Sequence, residues 1–368
     1  MTTIRSLTTR LQRVPLTRPW AADVASVGIV STHVVRSDGA EGWGFSWSPQ
    51  IGAPAVQALL AHDIGPACIG RSAAPGEAWQ GLWEHLHEAG GGGITTIALA
   101  GLDLALWDAE ARSAGVSVSQ MVGRQRERVR AYGSGVNLHY PLDELLAQVQ
   151  RWIDAGYDAV KIKVGKPDLA EDIDRVGAVR ELLGPDRKLM IDANQRWDLD
   201  RATTSVDALS HHGLAWIEEP LRADDLLGHA ELARRIDVPI ALGENLHTVH
   251  RFADFLRAGA AHIVQPNIVR VGGITPFLRI AELAASHGAA LHPHLLPELS
   301  GQLALALPDS AHEVLVEDVE DAGFGALGAL ADPSPVSIRD GSLTENDHLG
   351  LGLRFSPVLT GATARSRP

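Results

Sequence analysis

Three acidic residues, Asp192, Glu218 and Glu244, stand at equal intervals of 26 positions (218 − 192 and 244 − 218) in this chain of 368 residues. Each closes a short apolar run: "KLMIDAN", "LAWIEEP" and "PIALGEN". Taken singly, each has a structural explanation: a turn at "IDAN", a helix start with proline at "EEP", a loop at "GEN". Taken together, the spacing puts three carboxylates at equivalent points of successive repeats. There they converge, and converging like charges require a cation. An all-oxygen set suits a hard divalent ion, Mg2+ first because it accepts carboxylates while keeping positions for water and substrate, and Mn2+ second. Glu219 alternates to the other face from Glu218, where it is expected to contact a neighbouring strand or support the ligands.

Upstream, "AVKIKVG" sends Val160, Ile162 and Val164 to one face of a strand and Lys161 and Lys163 to the other. On a surface hairpin such lysines would need no explanation. The surrounding elements decide the matter. Between Val129 and Val319 eight short apolar runs recur, each followed by an amphipathic stretch: "VRAYGSG", "AVKIKVG", "KLMIDAN", "LAWIEEP", "PIALGEN", "HIVQPNI", "AALHPHL" and "EVLVEDV". Helical periodicity marks the intervals, as in "LDELLAQVQRWIDAG" and "TPFLRIAELAASHG", and glycine ends several of them. Strand then helix, eight times over, predicts an α/β fold with a parallel (β/α)8 barrel of the TIM type. A barrel interior admits charge only at its C-terminal mouth. The strand ends carry, in order, Lys161 and Lys163, Asp192 and Asn194, Glu218 and Glu219, Glu244 and Asn245, Asn267, His292 and His294, Glu317 and Asp318.

Residues 1–125 have another texture, mixing "VGIVSTHVVRS", a turn-rich "GWGFSWSPQIG" and the helical "TTIALAGLDLALWDAEARSAG", which reads as an α+β unit. The barrel is expected over 126–334. With 32 basic and 45 acidic residues the net charge is −13, and no basic block could follow a phosphate backbone, which argues against nucleic acid as a partner. No apolar run is long enough for a bilayer, and "MTTIRSLTTRLQRVPL" lacks the apolar segment of a secretory signal, so a cytoplasmic protein without a membrane partner is expected. The lone Cys68 has no partner for a disulfide or a zinc site and is expected as a small buried residue.

With these residues in place the chain resembles the enolase superfamily, and within it the mandelate racemase group. The resemblance rests on the order and spacing of "KIK", "DANQ", "WIEEP", "GEN", "VRVGGIT", "PHLLPELSGQLA" and a late "VED". It implies that residues 1–125 cap the barrel mouth, with 335–368 packing back on the cap. It also implies metal ligation by Asp192, Glu218 and Glu244, Lys163 as base, and Lys161 as the lysine assisting a substrate carboxylate. His294 matches the histidine on the opposite face of the substrate, and Glu317 the acid that hydrogen-bonds a carboxylate oxygen. Asn194 matches a neighbour of the metal or substrate, while His292 matches nothing catalytic. A homo-oligomer acting on a small carboxylate is implied as well.

The chemistry accounts for these types. Removing a proton beside a carboxylate puts a second negative charge on a charged group, and a dication with Lys161 and Glu317 can stabilise the enediolate that forms. Lys163 must be neutral to act as base; Lys161 and a nearby dication both disfavour its charged form.

One position departs from the group. Where its members pair the histidine with an aspartate, "QPNIVR" places Asn267. An amide can orient His294 by a hydrogen bond but cannot stabilise an imidazolium by charge. Racemisation needs two competent acid/base groups on opposite faces, whereas dehydration of a 2,3-dihydroxy acid needs one base and an acid. A weakened His294 favours dehydration to a 2-keto-3-deoxy acid. A racemase or epimerase working by 1,1-proton transfer, and a metal-binding barrel without activity, remain as alternatives.

"PLTRPWAADVAS" and "GWGFSWSPQIG" resemble the two loops that close over such a mouth, with Arg18, Trp20 and Trp47 as candidate substrate contacts; tryptophans in turns also pack against their own domain. "GGGG" at 90–93 lacks the Gly-Lys-Ser/Thr ending of a phosphate loop. The "GATARSRP" tail is expected to fray.

Overall fold

The computed structural model describes residues 1–20, 24–49, 51–308 and 312–356. Parts of the two loops expected to close over the mouth (21–23 and 50) and the "GATARSRP" tail lie outside the described residues.

β1 (Ile4–Pro15), β2 (Ser26–Arg36) and β3 (Glu41–Ser48) form an antiparallel meander. The helices α1 (Ala53–Leu59), α2 (Gly65–Cys68), α3 (Pro75–His85), α4 (Ile94–Ala114) and α5 (Val118–Met121) follow. In β3, Gly42 and Gly44 share a face, and a Cβ on them would stand 2.0 Å from Ala105 O and 2.3 Å from Gly101 O. The missing side chains let α4 lie directly on the sheet. α4 is apolar almost all round because the sheet covers one side and the barrel the other. Among the described residues no helix is long and apolar enough to cross a membrane.

The next eight strands are β4 (Arg128–Ser134), β5 (Ala159–Lys163), β6 (Lys188–Asp192), β7 (Leu214–Glu218), β8 (Ile240–Leu242), β9 (Ile263–Val264), β10 (Ala290–Leu291) and β11 (Leu315–Val319). The helices α6 (Leu142–Asp154), α7 (Leu169–Leu183), α8 (Leu199–Ser210), α9 (Leu226–Arg235), α10 (Val249–Arg257), α11 (Ile274–Ser286) and α12 (Pro297–Ala306) alternate with them. Neighbouring strands pair in parallel from β4 to β10, and β11 pairs with β4. At the seam between β10 and β11 His292 Nδ1 accepts the Leu315 amide at 3.1 Å, and its ring stacks on Trp216. His292 is thus a structural residue.

Each strand sends one residue into a buried floor inside the barrel: Tyr132, Ala159, Met190, Trp216, Ala241, Ile263, Ala290 and Leu315. Two positions further on, side chains face the same way. That step reaches Ser134, Lys161, Asp192, Glu218, Gln265, His292 and Glu317. The lysines of "KIK" therefore point inward because the apolar floor ends beneath them, while Val160, Ile162 and Val164 pack in the outer core.

β12 (Val336–Arg339) and β13 (Ser342–Glu345) form a hairpin, and β13 runs antiparallel to β4, so this part of the C-terminal segment extends the barrel sheet. The chain then reaches the cap: Leu351 N donates to Asp108 Oδ1 at 2.7 Å, and Phe355 packs edge-on against Phe45.

Candidate active site

The barrel mouth and the cap enclose a cavity of about 200 Å³ lined by Trp20, Trp47, Ser134, Lys163, Asn194, Glu244, Arg270, His294 and Glu317, among others. Adjacent strands bring the charges together. Lys163 faces Asp192 in register across β5 and β6, and Asp192 faces Glu218 across β6 and β7. Glu244 follows β8 through Gly243, whose φ of 143° bends the strand end; a Cβ there would lie 2.8 Å from Gln265 N.

Lys161 is fully buried, its Nζ 2.8 Å from both Glu218 oxygens and 2.7 Å from Glu317 Oε1. Lys163 Nζ lies 2.5 Å from Asp192 Oδ2, and its backbone N–H is fixed by Asn137 Oδ1 at 2.9 Å. Burial and Lys161 push Lys163 down, as expected from the sequence, but Asp192 outweighs them and holds it above the ordinary lysine value. A cation on the Asp192 carboxylate competes with Lys163 for that partner.

Across the mouth, His294 Nε2 lies 2.5 Å from Glu244 Oε2 and 3.4 Å from Glu317 Oε2. Burial pushes His294 down, yet Glu244 and then Glu317 raise it overall. Asn267 stands 3.2 Å behind the ring, its Nδ2 against Nδ1, so the contact expected from the sequence is present. Glu317 lies between Lys161 and His294. Burial pushes it up, but Lys161 and then His294 hold it down at about 2, so it is an anion that accepts from Ser134 Oγ (2.8 Å) and Leu295 N (3.2 Å). A carboxylate in that state cannot donate a hydrogen bond.

The acidic groups suit a cation. Burial pushes Glu218 up to about 7; Lys161 opposes the shift, and the charges of Asp192 and Glu317 add to it. Such mutual repulsion is what a divalent ion relieves. Among the described residues, Glu218, Glu244 and His294 bring ligand atoms within 4.8 Å of one another. Asp192 borders this group with its oxygens turned to Lys163 and to the Asn194 amide (2.8 Å).

Glu219 stands behind the acidic cluster, linked to Glu244 through Asn245 Nδ2. Its backbone sits at φ 39°, an uncommon value for a non-glycine residue, and both of its oxygens accept from Asn245 Nδ2 at 2.9 Å. Burial and then the Glu244 charge push it well above the usual carboxylate range.

Trp20 and Trp47, with ring centroids 6.1 Å apart, both line the cavity. Arg18 does not. It lies in an adjoining polar annex of about 110 Å³, stacked 3.8 Å over Tyr140 and paired with Glu144. Sequence reasoning missed Arg270, whose Nη1 donates to Glu244 O at 3.0 Å, and Gln265, whose Nε2 donates to Glu218 Oε2 at 2.7 Å. Gln265 precedes Asn267 by two positions, so strand alternation would have found it; Arg270 lies in a loop, where no periodicity applies.

Residues 4–123 match the mandelate racemase / muconate lactonizing enzyme N-terminal domain, and residues 144–358 match the enolase C-terminal domain-like family. The chain belongs to the mandelate racemase / muconate lactonizing enzyme family. Within that family it is 34% identical over 355 residues to the 3,6-anhydro-alpha-L-galactonate cycloisomerase of Streptomyces coelicolor, covering 95% of this chain and 96% of the relative. It is 37% identical over 342 residues to the L-talarate/galactarate dehydratase of Salmonella typhimurium, covering 90% and 82%. The crystal structure of L-talarate dehydratase from Polaromonas sp. JS666, complexed with Mg and L-glucarate, superposes with a TM-score of 0.86 at 38% identity, covering 97% and 96%.

Proposed function

We propose that this enzyme removes the proton alpha to a carboxylate and eliminates the oxygen on the next carbon, dehydrating a 2,3-dihydroxy sugar acid to a 2-keto-3-deoxy acid. The observation that carries the reading is an asymmetry across the mouth: a lysine beside Asp192 on one wall, and on the other a histidine backed by an amide in place of a carboxylate. That pairing provides one base and one donor, which elimination requires and two-face racemisation does not.

Asp192, Glu218 and Glu244 would hold Mg2+, the ion present with glucarate in the Polaromonas relative. Bound there, the cation offsets the second negative charge that builds on the substrate carboxylate. Lys163 Nζ takes the C2 proton; the C2–H electron pair becomes the C2=C3 bond, and the C3–O pair leaves with its oxygen. The oxygen leaves hydrogen-bonded to His294 Nε2–H and is released as water once it takes the proton that Lys163 holds, so both side chains end as they began. The enol then becomes the keto acid. Lys161 adds fixed positive potential, and Glu317 anchors both Lys161 and His294.

The names of the relatives support the substrate class. A 3,6-anhydro acid and a 2,3-dihydroxy acid share an oxygen on C3, so elimination from C3 suits either. The test is incubation with Mg2+ and a library of sugar acids. Release of 2-keto acid supports the reading, while deuterium incorporation from solvent without keto product means a racemase or epimerase.

A further inference from the structure

Asn267 is held on both sides of its amide. Its Oδ1 accepts the backbone N–H of Arg270 at 3.1 Å, three residues on, as an asparagine does at the start of a turn. A backbone N–H can only donate, so the atom facing it must be the oxygen and the atom facing His294 must be the NH2 group. That group lies 3.2 Å from His294 Nδ1, and Asn267 is 1% exposed, out of reach of competing water. An N–H pointed at Nδ1 requires a lone pair there. The ring proton is then on Nε2, the nitrogen that faces Glu244 and the cavity.

We propose that Asn267 is a positioning residue that locks His294 in the Nε2–H tautomer, so that this histidine presents a proton to the substrate and never a lone pair. A second proton would have to sit on Nδ1, facing the NH2 group, so the same contact that sets the tautomer also opposes the charged ring. His294 therefore serves as a fixed hydrogen-bond donor to the departing oxygen and is barred from taking a proton from its own face of C2. Swinging the amide round to free Nε2 would set the NH2 group against the Arg270 N–H, giving up one buried hydrogen bond and opposing two donors. A carboxylate at this position has no such constraint, because one oxygen can keep Arg270 while the other accepts Nδ1–H. The consequence for turnover rests on the elimination reading above; the tautomer does not.

The test is nitrogen NMR of 15N-histidine-labelled protein, with and without Mg2+, the His294 signals being identified by their loss in H294N. In the neutral ring Nε2 is expected to be pyrrole-like and Nδ1 pyridine-like, and N267D is expected to exchange the two. The same N267D protein, given a sugar acid in D2O, is expected to gain the C2 epimer on the order of 100-fold over the wild type, the usual worth of a positioned base. A wild-type ring with its proton on Nδ1, or an N267D ring unchanged from the wild type, overturns the assignment. A wild-type Nε2–H ring in a protein that releases no keto acid from any sugar acid supports the assignment and sinks the elimination reading instead.

Discussion

Lys161 Nζ sits 2.8 Å from each carboxylate oxygen of Glu218, with neither side chain exposed to solvent. The lysine extends the column that begins at Ala159 in the barrel floor, and it holds the acidic groups of the mouth together from below. Removing one partner of such a pair leaves a buried charge without compensation. Lys161→Met should therefore lower stability in metal-free buffer by about 3–5 kcal/mol, read by urea denaturation.

Metal binding should appear in stability as well. An ion that binds only the folded protein adds about 2.7 kcal/mol at 100 times its Kd. Mg2+ should raise the Tm of the wild type, and Asp192→Asn, Glu218→Gln and Glu244→Gln should each remove most of that rise. A full Mg2+ response in all three variants would contradict the ligand set.

Asp103 ties the cap to the barrel. Its carboxyl accepts the Thr275 amide (3.0 Å) and hydroxyl (2.6 Å) at the first turn of α11, and Gly273 beside it has no room for a Cβ, which would fall 2.3 Å from Asp103 Oδ2. Burial pushes Asp103 from 3.8 up to about 7, against the pull of its bonds to Thr275. The folded state thus holds this proton more tightly than the unfolded chain. Its contribution is full below about 3.8 and is lost as the pH rises through about 7. In Asp103→Asn the fall in stability between these limits should flatten, as measured by denaturation at a series of pH values.

The sequence made the barrel legible because its signal is repetition: eight strands each place one residue in the apolar floor, and a two-residue step from it predicts which way the polar side chains of seven of them face, Gly243 being the exception. Lys161, Asp192, Glu218 and Glu317 were readable for that reason. Arg270 and Asn137 were not, since they act from loops through contacts that no local pattern encodes. The charge on Glu317 was also hidden, because it depends on Lys161 and His294 arriving from other strands. Arg18 was read as a cavity contact from its loop, and its partner Glu144, on α6, draws it into the annex instead.

Trp20 and Trp47 form the cap's side of the cavity. If they contact substrate, they contribute binding that is equal before and during reaction. Trp47→Ala should then raise KM on the order of tenfold with a smaller change in kcat. Steady-state kinetics with the best sugar acid checks the division.

The base is tested most directly by proton exchange at C2. With Mg2+ and a substrate sugar acid in D2O, followed by proton NMR, the wild type should replace or remove the C2 proton. Lys163→Ala should do so at least about 100-fold more slowly while keeping its Mg2+-dependent rise in Tm. Exchange at an undiminished rate in a folded, Mg2+-responsive Lys163→Ala protein would contradict the account.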